Sequence, residues 1–294
     1  MKGRLQYSPV WMRVIVWLGI MGAQTLLAMG IWLLIPDGQS VNGLRWLQFL
    51  QTLGTFLLPA LAGAYLWSKE PVRWLHLQKG MRWEVALLAV FIMVVAIPGI
   101  NWLSHLNQQL SLPAGLTGIE QWMKAQEDAA AMLTEQFLQV HSFGGLLLNI
   151  GLMAVLPALA EELTFRGVVQ GLFRGNRHVA IWAAAAIFSF VHFQFYGFLP
   201  RMLMGAAFGY MLWWTDSLWV PILMHFTNNA LAVVFTFLAY NRMLPFPADL
   251  LESIGTGDTV WLGILSVLVV LSVMILYRFY TQRKDETQHK NRTV

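Results

Sequence analysis

The chain has 294 residues, 57% of them hydrophobic and only 12% charged, with a formal net charge of +4. Ordinary soluble domains carry about 25% charged residues, so the composition excludes a soluble globular protein and indicates a polytopic membrane protein. Cysteine is absent, which removes disulfides, thiolate metal sites and a cysteine nucleophile together. The basic residues are distributed along the chain as membrane topology would place them, so no nucleic-acid partner is expected.

A helix needs around 20 apolar residues to cross about 30 Å of hydrocarbon. Eight apolar runs approach that length: 11–35, 44–67, 83–103, 143–173, 179–199, 202–214, 219–240 and 260–280. The expected fold is therefore all-α, a membrane helical bundle of about eight transmembrane segments. The first run is too long for a signal-peptide core and is expected to stay as an anchor. No run reads as a repeat of another. Residues 1–142 are expected to hold the first helices and an extracytoplasmic loop, 143–240 a catalytic core, and 241–294 the last helix with a basic tail.

Charge asymmetry orients the bundle. Lys2, Arg4, Arg13, Lys69, Arg73, Lys79, Arg82, Arg174, Arg177, Arg278, Arg283, Lys284, Lys290 and Arg292 fall on one side, fourteen of the 19 basic residues. The other side carries Glu120, Glu127, Asp128, Glu135, Asp249, Glu252 and Asp258. The positive-inside rule then puts both termini in the cytosol. The segment 106–140 reads as one or two amphipathic helices on the outer surface or capping the bundle.

Three places put ionisable or amide side chains inside apolar runs. The first is Glu161-Glu162 with Arg166, the second Phe188 and His192, the third His225 with Asn228 and Asn229. An ionised carboxylate in hydrocarbon costs roughly 2.5–3.5 kcal/mol even on the lenient insertion scale. Glu162 has Arg166 one turn on, so that pair reads as mutually neutralising and structural. Glu161 has no such local cation. At a rise of 1.5 Å per residue, Glu161 and His192 lie about 20 Å from the turn at Gly175–Arg177, and His225 near the same level. Asn229 shares the His225 face.

A carboxylate and an imidazole at one depth can share a water and take its proton during attack on a carbonyl. A second imidazole and an amide can hold the oxyanion. The same Glu161, His192 and His225 can alternatively be read as zinc ligands. Other designs fit less well. No histidine precedes a glutamate, which excludes His-Glu-x-x-His. Gly255-Thr-Gly257-Asp258 matches an intramembrane aspartyl-protease string but falls in a loop, and Ser189 lacks an elbow context.

The strings Glu161-Glu162-x-x-x-Arg166, Phe188-x-x-x-His192 and His225-x-x-x-Asn229 resemble, in order, the motifs of the CPBP family, the CAAX proteases and bacteriocin-processing (Abi) proteins. The match spans about seventy residues. The resemblance implies an intramembrane endopeptidase with a conical cavity open to the cytosol. By analogy with the Ras-converting endopeptidase of the family, Glu161 and His192 activate water, and His225 and Asn229 hold the oxyanion. Glu162 and Arg166 brace the site, and Phe188 packs beside it. The glutamate mechanism requires no cofactor, whereas the alternative metalloprotease form uses zinc. Expected partners are a peptide or membrane-protein substrate and the lipid bilayer, in a bacterial inner membrane. A non-catalytic immunity or binding protein on the same fold is the competing reading.

Overall fold

The computed structural model describes residues 2–292 except 174, 247–249 and 251–252, with side chains as far as Arg283. Arg174, Asp249 and Glu252, and the side chains of Lys284, Lys290 and Arg292, lie outside the described residues. Among the described residues every regular element is helical. Nine rods carry the fold: α1 (Val10–Trp32), α2 (Val41–Trp67), α3 (Trp83–Gln108), α4 (Thr117–Leu138), α5 (Phe143–Leu172), α6 (Arg177–Phe190), α7 (Phe198–Thr215), α8 (Trp219–Tyr240) and α9 (Val260–Arg292).

Among the described residues, six rods are long and apolar enough to cross a membrane, namely α1, α2, α3, α5, α8 and the stretch Gly257–Arg283 that contains most of α9. The chain is an integral membrane protein. The other two expected segments form α6, which is apolar but shorter, and α7. The run 179–199 is not one span. Helix α6 stops at Phe190, Phe193 takes a left-handed φ of 55°, and a 3-10 turn at Phe195–Gly197 leads into α7. The amphipathic segment forms a single helix, α4, after a short 3-10 turn.

Two apolar cores flank the site. One gathers Trp17, Ala60, Ala64, Leu163, Phe165 and Phe188 from α1, α2, α5 and α6. The other gathers Ala89, Ile92, Phe208, Met211, Met224 and Met274 from α3, α7, α8 and α9. In lipid, van der Waals packing rather than removal of apolar surface from water holds helices together, and small residues let these helices approach closely. A Cβ on Gly205 of α7 would stand 3.2 Å from Ala185 Cβ of α6 and 3.0 Å from an Arg166 nitrogen of α5.

Helix α5 is not a uniform α-helix. It widens into π turns over Ile150–Val155 and again over Leu163–Val169. The first widening has a visible cause. Pro157 has no N–H and its ring crowds the carbonyl four residues back, which a wider turn relieves. The Leu156 N–H accordingly bonds five residues back to Gly151 O. Helix α2 does the same. A π turn at Thr52–Leu57 precedes Pro59, with Leu58 N–H on Leu53 O. Both places carry the pentapeptide Leu-Pro-Ala-Leu-Ala, at 58–62 and 156–160. The two helices share this string locally, although neither run repeats the other over its length. In α2 the next two residues are Gly63 and Ala64; in α5 they are Glu161 and Glu162.

Candidate active site

Helix α5 supplies Glu161, Glu162 and Arg166, α6 supplies Phe188, α7 supplies Arg201, and α8 supplies His225, Asn228 and Asn229. His192 lies in the break between α6 and α7, two residues past the helix, rather than inside a span. It is nevertheless fixed. Its Nδ1 stands 2.7 Å from the Phe188 carbonyl, one of the last-turn acceptors a helix leaves unsatisfied. Ser189 closes the same corner by donating to Phe198 O at 2.7 Å, and Asn107 of α3 clamps the far side by donating to Phe195 O and accepting from Leu199 N–H. Ser189 is therefore a buried structural donor.

The innermost group is Arg166. It donates to Glu162 Oε1 at 2.8 Å and to the Gly205 carbonyl at 3.1 Å. Its guanidinium lies 4.5 Å from the Phe188 ring centre and 5.2 Å from that of Phe208, one ring from each core. Such faces attract a desolvated cation. Glu162 Oε1 has a second partner, His225 Nδ1, also at 2.8 Å. Glu162 therefore does more than balance Arg166: it sets the position of His225 on α8.

These partners decide which ring nitrogens carry hydrogen. The Phe188 carbonyl can only accept, so His192 Nδ1 is the donor. Glu162 accepts from Arg166 and, on the same oxygen, from His225 Nδ1. Each neutral imidazole then leaves Nε2 as an acceptor. Both Nε2 atoms stand near one oxygen: Glu161 Oε2 is 3.7 Å from His192 and 3.9 Å from His225. Those separations are too long for direct hydrogen bonds, and Glu161 Oε2 is buried without a hydrogen-bond partner. A water about 2.8 Å from both Glu161 and His192 fits that gap.

Exposure rises outward from this centre. The Glu162 side chain is 0% exposed, His225 8%, Glu161 13% and His192 26%. The outer members line a cavity of ≈ 200 Å³ together with Phe188, Arg201, Met204, Phe208, Asn228 and Asn229. Asn228 donates to Asn229 Oδ1 at 3.2 Å, which leaves the Asn229 amide hydrogens for another acceptor. Asp258 of the aspartyl-like string sits in a 3-10 turn before α9 and does not line this cavity.

All seven residues expected to form the site come together. For tetrahedral zinc, ligand atoms lie about 3.3 Å apart from bond lengths near 2.0–2.1 Å. The spacings at Glu161 Oε2 are wider, and no group of three or more His, Cys, Asp or Glu among the described residues is arranged to hold a metal ion. Sequence reasoning missed Arg201, which it placed at the junction of two apolar runs. The signal was available: an arginine with long apolar stretches on both sides is as anomalous as Glu161.

Comparison with known proteins returns a matching region. Residues 143–231 match the family described as "Rce1-like: Type II CAAX prenyl endopeptidase Rce1-like". The chain is 37% identical over 95 residues to the "Membrane-embedded CAAX protease MroQ" of Staphylococcus aureus (strain USA300), covering 29% of this chain and 38% of that protein. It is 34% identical over 86 residues to the "Uncharacterized protein YpbD" of Bacillus subtilis (strain 168), covering 28% and 42%. The chain thus spans about two fifths of the length of these curated relatives. No solved structure matches. The segment that holds the paired glutamates, both histidines, Arg201 and the asparagines is thus the part of the chain that is similar to the Rce1-like CAAX endopeptidase family.

Proposed function

We propose that this chain is an intramembrane endopeptidase whose catalytic core is 143–240 and whose nucleophile is a water held between Glu161 and His192. The observation that carries the reading is the convergence of Glu161 Oε2 and His192 Nε2 at 3.7 Å on the wall of a small cavity. Glu161 takes one proton from the water as its oxygen attacks the scissile carbonyl carbon. His192 Nε2 accepts the second hydrogen and orients the attack. The C–N bond then breaks as Glu161 returns its proton to the leaving nitrogen, which balances the reaction without a metal. Asn229 donates to the oxyanion through its free amide hydrogens. His225, held at its Nδ1 by the Glu162 carboxylate, completes the oxyanion side of the cavity.

The substrate is a peptide or membrane protein presented from the bilayer. The bacterial relatives favour a bacterial inner membrane, and the charge asymmetry favours cytosolic termini. The test compares membrane peptidomes of cells making wild-type or Glu161→Ala protein, followed by cleavage of the differing peptides in proteoliposomes. Glu161→Ala and His192→Ala are expected to abolish cleavage while the protein still accumulates. Undiminished cleavage by either variant overturns the assignment of that residue, and the absence of any peptide that the wild type alone cleaves returns the non-catalytic reading.

A further inference from the structure

The groups that converge on the cavity are mostly acceptors. Glu161 Oε2 has no donor, and the neutral His192 and His225 rings keep their hydrogens on Nδ1. An oxyanion forming there needs donors. His225 supplies one only after gaining a proton. The asparagine amides supply neutral ones. The one cation lining the cavity among the described residues is Arg201.

Arg201 is built into place. It stands in the first turn of α7, where a cation opposes the helix macrodipole, so its position runs against local electrostatic preference. Its fork is held by Gln194, whose main-chain carbonyl accepts from one terminal nitrogen at 3.1 Å and whose side-chain oxygen accepts from the other at 3.0 Å. The guanidinium packs over the backbone of Gly197, where a Cβ would meet it at 3.0 Å. Each terminal nitrogen keeps a second hydrogen, and Nε keeps its own, so the fixed fork still has donors to offer. Neighbouring acids leave room for an anion. Glu127 of α4 is engaged by the Tyr196 N–H at 3.3 Å, and Glu161 is the base that becomes neutral as the reaction proceeds.

We propose that Arg201 is a catalytic residue that donates to the tetrahedral oxyanion, with Gln194 and Gly197 as its positioning residues. This rests on the endopeptidase reading above. The positive charge is constant, pre-oriented and beside the group that loses its negative charge at the moment the substrate oxygen gains one. Arg201 thereby compensates the charge transferred from Glu161 to the substrate, which a neutral amide does less well.

The test uses full-length protein in proteoliposomes and one peptide that the wild type cleaves, made both as the free acid and as the C-terminal amide. Arg201→Gln is expected to lower kcat by about 10²-fold on both peptides with KM within about twofold, the signature of a transition-state donor. Arg201→Lys, which keeps the charge and loses the fork, is expected to recover about a tenth of wild-type kcat. Gln194→Ala is expected to lower kcat severalfold and leave thermal unfolding unchanged. A rise in KM confined to the free-acid peptide would mean that Arg201 reads a substrate carboxylate, and it overturns the proposal. So does unchanged kinetics. If Arg201→Gln cleaves normally while Glu161→Gln is dead, this inference alone fails. If Glu161→Gln also cleaves normally, the Glu161–water mechanism of the proposed function fails with it.

Discussion

Arg166 is tied at both ends of its guanidinium, to Glu162 and to the Gly205 carbonyl, with aromatic rings on two sides. A buried pair of this kind is costly to break from one side, because the remaining charge is left uncompensated. Its reach extends further here, since Glu162 also fixes His225. Gly205 is the least conspicuous member. A Cβ there would press on Arg166, Ala185 and Phe188 at 3.0–3.2 Å. Gly205→Ala is expected to lower the apparent Tm by several degrees, as overpacking of about 1–3 kcal/mol does, and to reduce kcat at least tenfold. Thermal unfolding in detergent and initial rates on one peptide check it; a Tm equal to wild type contradicts the contact. At this scale the sequence was informative. Glu161, Glu162, Arg166, His192, His225 and Asn229 announce themselves because polar groups are rare in apolar runs. The Glu162–Arg166 pair was legible from its one-turn spacing, whereas the His225–Glu162 bond was not, since it joins residues 63 positions apart.

At the level of elements, the π turn before Pro157 determines which way Glu161 faces. A π turn inserts one residue into the register, and one residue is about 100° around a helix. Pro157→Ala removes the crowding that holds this turn open. The expected outcome is unchanged accumulation in the membrane with cleavage reduced more than tenfold, because Glu161 rotates away from His192. Pro59→Ala, the equivalent change in α2, acts on a turn with no charged residue behind it and is expected to keep most activity. Equal loss in both variants would show that the prolines act on folding alone. Hydropathy found the rods but not these turns, nor the break after Phe190. Both are exchanges of one backbone hydrogen-bond pattern for another, and apolar composition is blind to that exchange. The repeated Leu-Pro-Ala-Leu-Ala string was the available clue.

For the whole molecule, the apolar composition and the order of segments were readable, and the charge asymmetry gives an orientation that can be checked directly. The chain has no cysteine, so single cysteines can be introduced without a background. With cytosolic termini, Glu120→Cys on α4 is expected to react with a membrane-impermeant maleimide in intact cells. Lys79→Cys, beside the turn that Ser217 grips through the Lys79 carbonyl, is expected to react only after permeabilisation. The reverse pattern inverts the orientation. What the sequence could not convey is that the polar cluster lies where the two apolar cores meet, so that Phe188 and Phe208 come from different halves.

The partnerless Glu161 oxygen separates loss of function from loss of stability. Glu161 is a carboxylate with a buried oxygen that no protein group donates to, so its desolvation costs about 1–3 kcal/mol that no contact within the protein offsets. Glu161→Leu is therefore expected to unfold at a higher temperature than wild type, by about 2 °C or more in a calorimetric scan, while having no protease activity. Glu162→Ala is expected to be equally inactive but to melt lower, having orphaned Arg166. Two neighbouring glutamates, alike in type and one residue apart, would then yield dead proteins of opposite robustness. Heat would separate the residue kept for its reactivity from the one that holds the helices together.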